Sequence, residues 1–237
     1  MTSPLEDRAL AGLYPFLADP GMEPAQLDSA LLESVQQKAR DSVAVKRRFF
    51  EDHGPSIVAT ARCIAAVYRR QGRLYTMGNG GSSCDAAHIA VEFQHPVTAG
   101  RPALPAINLA ENNAMITAVG NDVGFKHVFL RQVVAQVRLG DGLIGVSTSG
   151  NSENLLVAFA AAKERGAVTI GLAGGDGGRM KEHPAIDHCL VVPSDSIHRV
   201  QETHVALYHI LWDLTHTLLA DDRWPRVEVA QMEVAKT

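Results

Sequence analysis

Residues 74–94 read LYTMGNGGSSCDAAHIAVEFQ: a short apolar run, a loop of glycine, asparagine and serine, then a segment long enough for a helix. The same order recurs at 143–165, where LIGV is followed by STSGNS and then ENLLVAFAAAKER. A strand that ends in a small polar loop and feeds directly into a helix is the repeating unit of a parallel α/β sheet. Further short apolar runs at 103–109, 168–172 and 189–192 bring the strand candidates to five. The stretches 83–94, 112–137, 152–165 and 176–183 are long enough for helical crossovers. Near-continuous apolar strands of this kind are buried on both faces. The chain therefore predicts an open, doubly wound, five-stranded parallel sheet flanked by helices.

Before the first strand, Leu27, Leu31, Val35, Val43 and Phe50 recur near helical spacing, and a second periodic stretch runs through Ile57, Ile64 and Val67. Gly54-Pro55 lies between them, which predicts two N-terminal helices. Residues 197–220 form one long apolar-periodic segment, a C-terminal helix. Residues 1–26, with Pro4, Pro15, Pro20 and Pro24, read as an irregular leader, and 221–237 as a tail, leaving one domain over 27–220.

The chain has 237 residues, of which 22 are basic and 26 acidic, for a formal charge of −4. That balance carries no nucleic-acid footprint. The three cysteines, Cys63, Cys84 and Cys189, are far apart and odd in number, so neither a disulfide framework nor a four-thiolate zinc site is expected. The N-terminus lacks a basic flank followed by an apolar block, and no apolar run reaches the ~18 residues of a membrane span. The expectation is a cytoplasmic protein with no membrane partner.

Both polar loops would sit at the carboxyl ends of strands, where open α/β sheets bind ligands and helix N-termini present free N–H groups to an anion. Neither is a Walker A loop, and neither fits the dinucleotide fingerprint. Ser, Asn and Gly also favour ordinary helix caps, so one such loop alone says little. Two of them, the second with hydroxyls at 147, 148, 149 and 152, point to a small phosphorylated ligand.

On the helix after the first loop, His88 and Glu92 are four residues apart and share a face. On the last helix Gln201 and His209 are eight apart, about 80° of rotation, and can also face one site. Imidazole and carboxylate are normal zinc ligands, and the same groups serve proton transfer at carbon. An exposed helical His–Glu pair worth a few tenths of a kcal/mol has the same spacing. His198, His204 and His216 lie on the same helix as His209, and His198 shares its face, so periodicity does not choose among them.

GNGGSSCDAAHIAVEF, VGNDVGF, STSGNSENLL and RVQETHVALYHIL, in this order between about residues 40 and 220, together resemble the sugar isomerase (SIS) domain family and, within it, the phosphoheptose isomerase branch. The resemblance implies a homotetramer that interconverts sedoheptulose 7-phosphate and D-glycero-D-manno-heptose 7-phosphate, an aldose–ketose isomerisation through an enediol. It implies Glu92 as base and His209 as acid. Ser147, Thr148, Ser149 and Ser152 would hold the phosphate; Asn79, Gly80 and Ser82 of the first loop, together with Asn112 and Gln201, would contact the sugar. Zinc, where members carry it, would sit on His88, Glu92, Gln201 and His209. The chain departs from the pattern at Gln94-His95-Pro96, where a substrate-facing Arg is common, at Asn112, where an Asp is frequent, and at His198. The family also includes non-catalytic phosphosugar-binding members and one partner of the bacterial replication initiator, and isomerases of other phosphosugars. The presence of both Glu92 and His209 favours the enzyme over a scaffold.

Overall fold

The computed structural model describes residues 24–221. The chain divides after Asp41 into two compact units. In chain order the elements are α1 (Pro24–Arg69), β1 (Leu74–Gly78), α2 (Gly81–Gln94), β2 (Ala106–Asn108), α3 (Asn113–Asp122), α4 (Leu130–Gln136), β3 (Gly142–Ser147), α5 (Glu153–Glu164), β4 (Val168–Gly174), α6 (Gly178–Lys181), β5 (His188–Val192) and α7 (Ile197–Asp221). The five strands expected from the apolar runs are all present, as one parallel sheet in the order β2-β1-β3-β4-β5. Every residue of β1 and β3 is buried. Leu74 and Ile144 face one core, with Phe49, Ile64, Phe93, Leu207 and Trp212 from α1, α2 and α7. Tyr75, Met77 and Leu143 face the other, with Val119, Val133, Leu155 and Phe159 from α3, α4 and α5. This is the side-to-side alternation of a strand covered on both faces.

The N-terminal segment departs from the sequence expectation. Gly54-Pro55 does not separate two helices: α1 runs unbroken from Pro24 to Arg69 with Pro55 inside it. An interior proline costs about 3 kcal/mol. Burying one large aliphatic or aromatic side chain returns about 1.5–3 kcal/mol, and Phe49 before the proline and Ile57 and Ile64 after it are all buried in one cluster. Packing on both sides of Pro55 therefore outweighs the local breaker. Leu31, Val35 and Val43, which periodicity singled out, are exposed. The expected leader and tail lie outside the described residues, except Pro24–Gln26 at the start of α1 and Asp221 at the end of α7.

The strand order decides where a ligand can enter. From β1 the chain moves to β2 at one edge, whereas from β3 it moves to β4 in the opposite direction. The connections diverge at the β1–β3 pair, and in such sheets the crevice opens there, outside the carboxyl ends of the strands. The two polar loops leave those two strands.

Candidate active site

The first loop leaves β1 at Gly78 and enters α2 at Gly81. Gly80, the N-cap, gives α2 no side-chain cap. A side chain at Gly81 would place its Cβ 2.4 Å from Nε2 of Gln201. With glycine at this position the Gln201 amide lies directly against the first turn of α2.

The second loop is held from within. Ser147 Oγ and Ser152 Oγ are 3.0 Å apart, and Asn151 donates through its amide to the Ser149 carbonyl at 2.9 Å. Ser152 is the N-cap of α5, yet its hydroxyl turns to Ser147 and does not cap the helix. Neither N-cap side chain caps its helix; Ser82 and Ser83 N–H bond back to the Asn79 and Gly80 carbonyls and Leu155 N–H to Ser152 and the Asn154 side chain, which leaves the N–H groups of Gly81, Glu153 and Asn154 to a ligand or solvent. Gly150 has φ +65°, and a Cβ there would come within 1.9 Å of the Gly177 carbonyl oxygen, so the loop packs directly on the turn before α6. A cavity of about 440 Å³ opens beside it, lined by Thr148, Ser149, Asp176, Ser194, Asp195 and Val200 among others.

The loops are tied to each other. Asn79 Nδ2 donates to Asn154 Oδ1 at 3.0 Å, and Asn154 Nδ2 donates back to Asn79 Oδ1 at 2.9 Å. The side chain of Asn79, expected to reach the sugar, is engaged in this pair. Gly80 is exposed and Ser82 is buried in the first turn of α2. Asn112 caps α3, its side-chain oxygen accepting from the Met115 N–H at 3.0 Å.

Of the four candidates on α2 and α7, His88, Glu92 and His209 form a cluster. His88 Nε2 lies 3.1 Å and His209 Nε2 3.9 Å from Glu92 Oε1. One ligand atom from each of the three residues falls within 4.8 Å of the others, among the described residues the one such group of His, Cys, Asp and Glu. Gln201 approaches the start of α2 at Gly81, about two turns before His88 and three before Glu92. The structure also resolves what periodicity left open on α7. His204 is fully buried with Nε2 on the Ala173 carbonyl at 3.1 Å, His216 is buried between Phe93 and Trp212, and His198 is exposed. Of these histidines, only His209 joins His88 and Glu92.

Residues that the sequence pattern did not single out surround the cluster. Tyr208 Oη is 2.7 Å from His88 Nδ1. The Trp212 indole N–H donates to the Glu92 carbonyl at 2.8 Å, and the Arg101 guanidinium covers the Trp212 ring at 4.4 Å while pairing with Asp213. Asp85 is buried with Oδ2 unpartnered, and burial lifts its carboxyl to about 6 against the opposing pull of His88. Asp85 stands three residues before His88 and Tyr208 one before His209. The first of these was visible as a helical i, i+3 spacing; the second depends on how α7 packs on α2.

No helix among the described residues is long and apolar enough to cross a membrane. Residues 39–174, more than half of the chain, match the SIS domain family. The phosphoheptose isomerase of Solidesulfovibrio magneticus is 42% identical over 183 residues, 77% of this chain and 88% of that protein. Solved phosphoheptose isomerases from Francisella tularensis and Neisseria gonorrhoeae superpose with a TM-score of 0.74 each, at 33% and 35% identity, over 78% and 79% of this chain and 98% and 99% of theirs. By that match over most of its sheet and by its likeness to these isomerases in sequence and fold, the chain belongs to the SIS domain family, among the phosphoheptose isomerases.

Proposed function

We propose that the protein interconverts sedoheptulose 7-phosphate and D-glycero-D-manno-heptose 7-phosphate through an enediol, with Glu92 as base and His209 as acid. The observation that carries this reading is the convergence of Glu92, His88 and His209 from α7 and from α2, the helix that the first polar loop opens. In the reaction Glu92 takes the proton from the carbon next to the carbonyl and returns it to the former carbonyl carbon. His209 supplies a proton to the carbonyl oxygen and takes one back from the neighbouring hydroxyl as the new carbonyl forms. A carboxylate fits the first task because it is only partly exposed, at 19% of its side-chain surface, and its backbone is pinned by Trp212. Ser147, Thr148, Ser149 and Ser152, with the uncapped start of α5, would hold the phosphate. Gly80, Ser82 and Gln201 would meet the sugar.

The same cluster fits a zinc ion: two imidazoles and a carboxylate are a common catalytic donor set, and their ligand atoms are already within mutual reach. His88, Glu92 and His209 would hold it, with Gln201 as a neutral fourth donor. Bound there, the metal would act as a Lewis acid on the substrate oxygens. A homotetramer belongs to the same reading, since it would cover exposed apolar residues such as Val43 and Val58 on α1. So does cytoplasmic placement, supported by three unpaired cysteines.

The test is incubation of the purified protein with sedoheptulose 7-phosphate and detection of a new aldose phosphate. Glu92→Gln keeps size and hydrogen-bonding atoms but removes basicity, so kcat should fall by about 10²-fold or more while the phosphosugar still binds. His209→Gln should lose a similar factor. Near-full turnover in Glu92→Gln would refute the assignment of the base, and no turnover of any phosphosugar by the unmodified protein would make it a binding member of the family.

A further inference from the structure

The Tyr208 hydroxyl lies 2.7 Å from Nδ1 of His88, and on the other side of the same ring Nε2 lies 3.1 Å from Glu92 Oε1. A neutral imidazole has one N–H and one lone pair. With a carboxylate at Nε2 the proton belongs there, so Nδ1 is bare and Tyr208 donates to it. A metal held by His88 through Nε2 would need the opposite tautomer, with the proton on Nδ1 and the hydroxyl accepting. A carbonyl or carboxylate in the position of Tyr208 could serve only the second state, because it cannot donate. A phenol serves both. In the second state the phenolic proton turns away from the ring, and the hydroxyl oxygen accepts from Nδ1.

The packing does not require the hydroxyl. Tyr208 is 3% exposed within the core cluster, and its ring meets those of His88 and His209 edge-on at 5.1 and 5.0 Å. A phenylalanine would keep all of that. What it would lose is the bond to His88.

We propose that Tyr208 is a positioning residue of the site, whose hydroxyl fixes the ring plane of His88 and, donating to Nδ1 in the metal-free site, joins Glu92 in holding the proton on Nε2. By reversing from donor to acceptor, the hydroxyl lets His88 present either an N–H or a lone pair toward Glu92 without turning. The second half of this proposal rests on the reading that the cluster holds a metal.

The test compares the unmodified protein with Tyr208→Phe and, as a control, Tyr68→Phe, which removes another buried hydroxyl, one with no partner. In metal-free protein labelled with ¹⁵N-histidine, His88 should show one tautomer, protonated on Nε2. Tyr208→Phe should show a mixture, and Tyr68→Phe no change. Zinc affinity, measured by competition with a chromophoric chelator, should fall about 10- to 100-fold in Tyr208→Phe, the usual cost of losing a group that orients a ligand, and stay unchanged in Tyr68→Phe. A role in packing alone would move the thermal midpoint and neither of these readouts. If Tyr208→Phe keeps both the single tautomer and the zinc affinity, the proposal is overturned. If the unmodified protein takes up no zinc, the metal reading and the reversal fall together, and the tautomer comparison alone decides whether Tyr208 orients His88.

Discussion

Gln201 and His204 lie one turn apart on α7 and meet opposite surroundings. The amide of Gln201 reaches the glycine that opens α2, whereas the ring of His204 is fully buried against the Ala173 carbonyl. Gln201→Ala should therefore lower the zinc retained per folded molecule more than His204→Ala does, although the latter, by opening a cavity in the core, should lower the thermal midpoint more. Elemental analysis of the monodisperse fraction checks this; equal zinc losses would mean that the wrong face of α7 has been assigned to the site. The contrast also marks how far a single residue can be read from sequence. His88 and Glu92 were legible because i and i+4 meet on a helix wherever that helix lies. His209 could not be told from its neighbouring histidines, because periodicity gives a direction around the helix axis and says nothing of what the side chain meets there.

At the scale of elements, the hydroxyl loop between β3 and α5 is a rigid piece, with Ser147 bonded to Ser152, Asn151 to Ser149, and Gly150 pressed on the next turn. Phosphate is remote from the reacting carbons, so contacts to it act on ground and transition states alike. Thr148→Val and Ser149→Ala should raise KM for the phosphosugar with a smaller loss of kcat, and inorganic phosphate should compete less well with both variants. An unchanged KM in both would remove the loop from the site. The strands beside this loop were legible because buried parallel strands are apolar throughout. The course of α1 was not: Gly54-Pro55 is a strong local stop, and only the core that takes up Phe49, Ile57 and Ile64 keeps the helix going. Likewise the single crossover expected over 112–137 divides into α3, a 3₁₀ turn at Phe125–His127 and α4.

Across the whole molecule, acid stability is governed by histidines held neutral in the interior. Burial pushes His204 down to about 4 from 6.5, with the bond to Ala173 opposing. Burial, then Arg101, push His216 to about 4, with Asp213 opposing. Both groups bind protons more readily when unfolded, so stability is lost as pH falls from about 6.5 toward 4. Asp85 works in the other direction: its carboxyl is raised by burial from 3.8 to about 6, so its contribution to stability is full below pH 3.8 and is lost as pH rises from there through about 6. Two histidines outweigh one aspartate, and the thermal midpoint should drop between pH 7 and 4.5, less steeply in His216→Phe, where both unpartnered ring nitrogens are gone. A midpoint that holds level over this range in the unmodified protein would contradict the account. Sequence alone showed that the strands run parallel, but not their order, since the alternation of strands and helices is the same whichever edge each crossover takes. That order sets Asn79 and Asn154 across from each other, and their paired amides have a consequence for the rate at which a ligand is captured. Two loops already fastened together have little conformational freedom left to lose, so an arriving phosphosugar would find its cradle formed. Its association would be set by diffusion and by the shedding of water, with no waiting time for the loops to close.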